Sequence, residues 1–431
     1  MTSDLRRALA RGPRSMSELQ RQLSVSKSTL QRALEHDRQE VLTAGRARAT
    51  RYAARRGIEG LITPVPVFEV DADGGIAEIL TLHPVEPFGF WVEGRTPDVD
   101  SGFVSTEPRE PDLPWFFADA RPQGFLGRLW ARSHPDQGYP LDPDRWSADQ
   151  VLRFLAHYGT DLVGALVVGP FARDLLGHAA PLDVGREGYP ARAAQILAGA
   201  QWGSSPGGDQ PKFVLRGRFV KFSPPTDNPM GRRWADLLLA EHVVHQVLQV
   251  HGVGAARSEV VDVGERRFLE IERFDRHGEH GRSGVISLAA VDRGDAARDL
   301  RRWSLGTAPL VAEGRLSAED HRRVEWLEAF GLLVANTDMH PGNLSFRMRG
   351  TRLLGLAPVY DMLPMAFAPR YEELPSDVWR PSTERSAFPE TAIRAAREVW
   401  GQVAASSAAS DDFRRIAERQ AAGLPGAAVT G

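Results

Sequence analysis

Asp338 and Asn343 stand five residues apart in Asn336-Thr337-Asp338-Met339-His340-Pro341-Gly342-Asn343, and Asp361 follows in Val359-Tyr360-Asp361. Asparagine and carboxylate oxygens suit magnesium, a hard cation that keeps waters and shares phosphate oxygens. His340 serves such a loop either as a hydrogen-bond bracket or as a ligand or base. The cations opposite are unusual: of 53 basic residues three are lysines, Lys27, Lys212 and Lys221, and the other 50 are arginine. An ammonium is a compact point charge that fits a tight phosphate pocket, whereas a guanidinium is a broad planar fork. Two of the three lysines lie nine residues apart, and the first of them closes the stretch Ser204-Ser205-Pro206-Gly207-Gly208-Asp209-Gln210-Pro211-Lys212. Paired glycines between serines and a strand let backbone amides approach phosphate oxygens. The stretch is neither a Walker loop nor G-x-G-x-x-G.

The elements that must position these residues can be read nearby. Strands at Lys212 to Leu215 and Arg218 to Phe222, turning at Gly217, place Lys221 among apolar neighbours, where a lysine snorkels or holds phosphate. A helix from about Arg232 to Val250 comes next, with Leu237, Glu241, Val244 and Leu248 at helical spacing, so a carboxylate lies within the apolar stripe. Such a residue either meets a cation or reaches solvent at the stripe's edge. In protein kinases a strand lysine pairs with a glutamate of the next helix, and Lys221 and Glu241 keep that order. The kinase catalytic loop H-R-D-L-x-x-x-N spaces its asparagine five residues after its aspartate. Asp338 and Asn343 repeat that spacing after the apolar helix Val324 to Val334, with the histidine moved from two before the aspartate to two after it. Strands Leu344 to Met348 and Arg352 to Leu356 flank Gly350 and lead to Asp361, in the place of the second metal carboxylate. Met-Leu comes after it rather than Phe-Gly.

With these residues in place, the chain resembles the HipA-like toxin serine/threonine kinases over roughly residues 60 to 385. The carriers are Ser205-Pro206-Gly207-Gly208-Asp209-Gln210-Pro211-Lys212, Glu272-Arg273-Phe274-Asp275-Arg276, Asn336 to His340 with Asn343, and Tyr360-Asp361. The resemblance implies an α+β, bilobal protein-kinase-like fold that binds ATP and Mg2+. Lys221 would sit on the phosphates, with Ser205, Gly207, Gly208, Gln210 and Lys212 around them, and Glu272 to Phe274 as the adenine hinge. Asp338 would be the catalytic base, and Asn343 and Asp361 would hold magnesium. Ser205 matches a loop serine that is autophosphorylated and switches the enzyme off; nearly two added charges beside ATP phosphates would eject the loop. Family targets include aminoacyl-tRNA synthetases, and typical members work beside a separate helix-turn-helix antitoxin. Nothing in this sequence identifies the substrate.

Residues 1–57 form a separate module, expected as a winged helix-turn-helix domain. They carry 13 Lys/Arg against 5 Asp/Glu, a balance of +8 in a chain of net charge −3. Ser17 can cap a first helix holding Leu19 and Leu23, Ser24-Val25-Ser26 turns, and a second helix buries Leu30, Ala33 and Leu34. That second helix presents Lys27, Ser28, Gln31 and Arg32, types that contact phosphates and base edges. Arg46, Arg48 and Arg51 fall in a hairpin around Gly45 that would form a basic wing. Residues 58–270 are expected to hold a HipA-like N-terminal subdomain and the kinase N-lobe, and 271–431 a mainly helical C-lobe. Alternating Val65, Val67, Glu69 and Asp71, a turn at Gly74-Gly75, and then Ile76, Glu78, Leu80 and Leu82 read as part of a small sheet. The proline- and aromatic-rich stretch from Glu107 to Gly127 reads as an ordered surface segment, Ala148 to Tyr158 as a helix, and the Ala/Ser/Gly-rich end from Ala404 as a fraying tail.

The 431 residues have room for two or three domains. An apolar share of 42%, with no apolar run approaching the roughly 20 residues of a membrane span, describes a globular chain, expected in the cytoplasm. The absence of cysteine excludes disulfides, thiolate metal sites and cysteine nucleophiles. The sequence leaves three readings open. One is a toxin-type kinase joined to a DNA-binding head, with a protein substrate and an antitoxin or a second copy as partner. A second is a DNA-binding regulator with a non-catalytic kinase fold. A third is a metal-dependent nuclease using Asp338, His340, Asn343 and Asp361.

Overall fold

The computed structural model describes residues 2–105, 113–122, 124–172, 174, 184–199, 210–292, 302–370, 373–380 and 388–425. At the N-terminus the helices Thr2–Leu9, Met16–Leu23 and Lys27–His36 precede the antiparallel strands Val41–Ala44 and Arg51–Ala54. Ser15 rather than the expected Ser17 caps the second helix. Its hydroxyl accepts from the Glu18 N–H while the Glu18 carboxylate accepts from the Ser15 N–H, so two end donors are satisfied at once. Leu30, Ala33 and Leu34 are buried against Leu5, Leu9 and Leu19. The module is stitched to the neighbouring sheet: the Arg56 N–H donates to the Pro84 carbonyl and the Glu86 N–H to the Ala54 carbonyl. Leu42 and Ala53 share a small core with Val85 and Trp91.

That neighbour is a five-stranded antiparallel sheet, in the spatial order Gly102–Val104, Phe90–Gly94, Ile76–Pro84, Val65–Val70, Leu166–Val168. Alternation along Val65–Val70 buries Val65 and Val67 completely, as the period of two requires. The helix Ala148–Tyr158 starts at a capping box of Ser147 and Gln150. Within the stretch read from sequence as a surface segment, Leu113, Phe116 and Phe117 are buried in the main core. Their large apolar area gains more from burial than a polar, proline-broken chain loses by being covered.

A four-stranded sheet comes next, in the order Ser258–Val263, Arg266–Glu272, Arg218–Phe222, Lys212–Leu215. One face stacks Phe213, Val220, Phe222 and Phe268 under Tyr189 of the helix Tyr189–Gly199. The helix Pro229–Val250 packs nearby and starts one turn ahead of the sequence reading because Asn228 caps it, its side chain accepting from the Gly231 N–H. Consecutive residues Ala235 to Glu241 are buried, so this helix is enclosed all round. Beyond it the strands Gly284–Ser287, Ser345–Arg349 and Arg352–Leu356 form a three-stranded sheet. The helices Trp303–Ala312, Ala318–Leu333, Glu390–Ala405 and Asp411–Gly423 complete the C-terminal part. The end expected to fray instead forms that last helix: Phe413, Ile416 and Ala417 are buried, and the Ser410 hydroxyl donates to Asp236 at 2.6 Å.

Candidate active site

Lys221 lies in the strand Arg218–Phe222, whose alternation sends Val220 and Phe222 into the aromatic core and turns Lys221 to the opposite face. Its cross-strand partner is Lys212, so the two ammonium groups share that face. Nζ of Lys221 donates to both carboxylate oxygens of Glu241, at 2.7 and 2.8 Å, and also to Oδ1 of Asp361. Glu241 is fully buried, so it does not reach solvent at the edge of its helix. Burial works against the charge on Lys221, but Asp361 and Glu241 outweigh it and raise its pKa above the ordinary lysine range. Burial likewise opposes ionisation of Asp361, yet Lys221 and Lys212 hold it well below the usual carboxylate range. One turn beyond Glu241, His245 is buried, its Nδ1 3.0 Å from Ser258 Oγ and its Nε2 4.0 Å from Glu241. Burial, helped by the positive charge of Lys221, pushes its pKa down to about 3, so the ring is neutral.

The loop after the helix Ala318–Leu333 is held by its own polar groups. Ala335 takes a left-handed φ of 58° and Asn336, buried, accepts the Asp338 N–H at 2.9 Å. The Asn343 amide donates to the Asp338 carbonyl at 2.9 Å, which commits its nitrogen and leaves its oxygen as the group for a ligand. His340 brackets the turn: its Nδ1 accepts the Gly342 N–H at 3.1 Å, and Trp303 Nε1 donates to its carbonyl at 3.0 Å. A side chain at Gly342 would meet the His340 ring at 2.9 Å, so it would push the ring off its bracket on the Gly342 N–H. Tyr360 donates its hydroxyl to the Gly342 carbonyl at 2.7 Å, and Asp361 adopts the left-handed region at φ 51°. Asp338 is exposed, while His340, Gly342 and Asn343 line the cleft beside it.

That cleft encloses about 820 Å3. It brings together Lys212, Lys221, Glu272, Phe274, His340, Asn343 and Asp361 from the sequence reading. Along the expected hinge the N–H groups of Glu272 and Arg273 are committed to the carbonyls of Arg257 and Gly217, at 2.8 and 2.9 Å. The Phe274 ring lies 6.0 Å from that of Tyr360. Gln210 has a buried Nε2 that meets no acceptor among the described residues. Ser205, Gly207 and Gly208 lie outside the described residues. Lys27, Ser28, Gln31, Arg32, Arg46 and Arg48 are exposed and Arg51 is half-buried, all in the N-terminal module far along the chain from the cleft.

Sequence reasoning missed two contributors. Asp119 lines the cleft and accepts from the Ser287 hydroxyl at 2.7 Å, with burial raising its pKa. Arg273, a motif residue with no role assigned from sequence, is buried against Asp161 and Asp275. The contacts of Asp119 with Ser287 and of Arg273 with Asp161 join residues more than a hundred positions apart, so no local pattern could have found them; only Arg273 to Asp275 is local.

Comparison with known proteins bears on the family and the fold. Residues 61–176 match the family model described as the YjjJ-like toxin middle domain, and residues 204–427 that of the HipA-like C-terminal domain. The toxin YjjJ of Escherichia coli (strain K12) is 35% identical over 436 residues, with 96% of each chain covered. A chain of the Shewanella oneidensis MR-1 complex of HipA, HipB and operator DNA superposes with a TM-score of 0.50 at 14% identity, covering 83% of this chain and 95% of that one. The Helicobacter pylori proinflammatory kinase CtkA gives a TM-score of 0.34 at 9% identity, over 49% of this chain and 87% of that one. The fold is α+β and HipA-like.

Proposed function

This chain belongs to the HipA-like toxin family, and from that premise we propose that it is an ATP- and Mg2+-dependent serine/threonine protein kinase. The observation that carries the reading is Lys221, held on both oxygens of a buried glutamate and on Asp361, in a cleft that also holds Asn343. Phosphoryl transfer is mainly positioning and charge neutralisation, so these few groups suffice. Lys221 and Lys212 neutralise ATP phosphates, Glu241 keeps Lys221 in place, and the backbone from Glu272 to Phe274 borders the adenine. Asp338, exposed beside the cleft, takes the proton of the substrate hydroxyl. His340 supports the loop through its Nδ1 bracket rather than by transferring a proton.

The donor set fits magnesium. The Asn343 amide oxygen and the Asp361 carboxylate are hard oxygen donors of the kind this ion takes. Two protein ligands with phosphate oxygens and waters completing the shell is the usual way this ion is held. When bound, it would neutralise charge on the phosphates.

Three further assignments complete the proposal. Ser205 precedes the strand carrying Lys212 and is the site of autophosphorylation that turns the enzyme off. The N-terminal module is a winged helix-turn-helix that binds DNA through Lys27, Ser28, Gln31 and Arg32, with Arg46, Arg48 and Arg51 on its hairpin. The substrate is a protein, as for the family targets that include aminoacyl-tRNA synthetases, and an antitoxin or a second copy is the regulatory partner. Among the described residues no helix is long and apolar enough to cross a membrane. The test is purified protein with radiolabelled ATP beside Asp338→Asn. Label transferred by the wild type and not by the variant is expected; a wild type that neither binds ATP nor transfers label refutes the kinase assignment.

A further inference from the structure

We propose that Asp161, on the turn after the helix Ala148–Tyr158, is a positioning residue for the nucleotide, acting through Arg273; this rests on reading the cleft as an ATP site. All five N–H donors of Arg273 are used. Nε and one Nη2 hydrogen go to Asp275, at 3.1 and 3.0 Å. Nη1 reaches Oδ1 and the carbonyl of Asp161, at 2.8 and 3.4 Å, and Nη2 also reaches the Leu162 carbonyl at 3.0 Å. Three of five donors thus bind the 161–162 turn, part of the region matched by the middle-domain model.

What Arg273 holds in exchange belongs to the cleft. Its guanidinium lies 5.0 Å from the centroid of the Phe219 ring, and Phe219 lines the cleft, as do Glu272 and Phe274 on either side of Arg273. The same turn grips the next residues, since the Gly164 N–H donates to Asp275 at 2.8 Å and Arg276 donates to the Gly164 carbonyl at 3.0 Å. Arg282 donates to the Thr160 carbonyl, and burial together with Arg276 pushes its pKa down to about 10. Arg273, Arg276 and Arg282 are therefore crowded around Asp275 and Asp161. With Asp161 neutralised, the three cations share one carboxylate, and the Arg273 side chain and its backbone are free to shift together with Phe219. Asp161 itself is half-exposed, with 50% of its side-chain surface in solvent, so replacing it leaves no buried cavity.

Asp161→Asn keeps the shape and removes the charge. Its KM for ATP is expected to rise about tenfold with kcat within about twofold of the wild type, the pattern of lost ground-state binding. Asp161→Glu is expected to recover most of the loss. The experiment is the initial rate of autophosphorylation against ATP concentration, whose maximal rate constant and half-saturation stand for kcat and KM, with equilibrium binding of a non-hydrolysable ATP analogue to the full-length chain and circular dichroism to confirm folding. An Asp161→Asn variant with wild-type KM and analogue affinity overturns this proposal alone. So does one in which kcat falls with KM unchanged. A wild type that binds no analogue instead overturns the ATP reading on which it rests.

Discussion

Replacing Lys221 tests the centre of the site most directly. In Lys221→Met the side chain keeps its length and loses its charge, and the two carboxylates it bridges, Glu241 and Asp361, are left facing each other. Glu241 has no solvent to turn to. Removing one partner of a buried ion pair costs about 3–5 kcal/mol, because the other charge stays buried and unmatched. Glu241 can escape part of that by taking a proton, and its pKa is already raised by burial against the pull of Lys221. The penalty in Lys221→Met should therefore shrink as pH falls, by up to ~1.4 kcal/mol per unit. The double variant Lys221→Met/Glu241→Met removes the orphan and should regain at least ~2 kcal/mol of the single variant's loss. A third arm, Lys221→Arg, keeps the charge but puts a broad fork where a compact ammonium fits. It should remain folded while phosphoryl transfer drops by about a hundredfold or more, equivalent to ~2.7 kcal/mol. The assays are urea unfolding at two pH values and label transfer from ATP. A Lys221→Met chain destabilised by less than ~1 kcal/mol, or a double variant no better than the single, would refute the buried-pair reasoning. An Arg variant with full transfer would refute the phosphate role.

Two other outcomes are expected. The imidazole of His245, pushed down to about 3 in the fold, takes up a proton in the unfolded chain near 6.5, so between those pH values the unfolded state binds more protons and stability falls as pH drops, by up to ~1.4 kcal/mol per unit. His245→Leu should lack that slope, and parallel wild-type and variant stabilities between about pH 5 and 7 would refute the assignment. For the N-terminal module, duplex DNA affinity should fall steeply with salt, and Arg46→Ala/Arg48→Ala should reduce the slope by up to about two. An unchanged slope would remove the hairpin from the interface.

Much of the site could be read from sequence because its parts are local. The five-residue step from Asp338 to Asn343 and the carboxylate at position 241 within an apolar stripe each sit in one loop or one helix face. The errors have physical causes of the same kind. Ser17 and Ser15 are both acceptable caps, and what selects Ser15 is Glu18 at the third helical position. The tail from Ala404 is rich in small residues, yet Phe413, Ile416 and Ala417 share one face and close over the core. Asp119 and Asp161 were invisible because their partners, Ser287 and Arg273, lie 168 and 112 residues away. Nothing short of the folded chain brings such pairs together.

If the N-terminal module binds DNA as proposed, the join near residue 57 bears on how the cleft would be presented to a duplex. Arg56 forks onto Asp149 at 2.6 and 3.0 Å, and backbone bonds at Pro84 and Ala54 flank it, so no flexible tether separates the head from the body. A chain seated on DNA would then hold its cleft at one bearing and one distance from the helix axis, as a bracket holds a lamp. Its reach would be set by the duplex and by whatever is bound beside it. A tethered cleft sweeps a volume; this one would address a single spot.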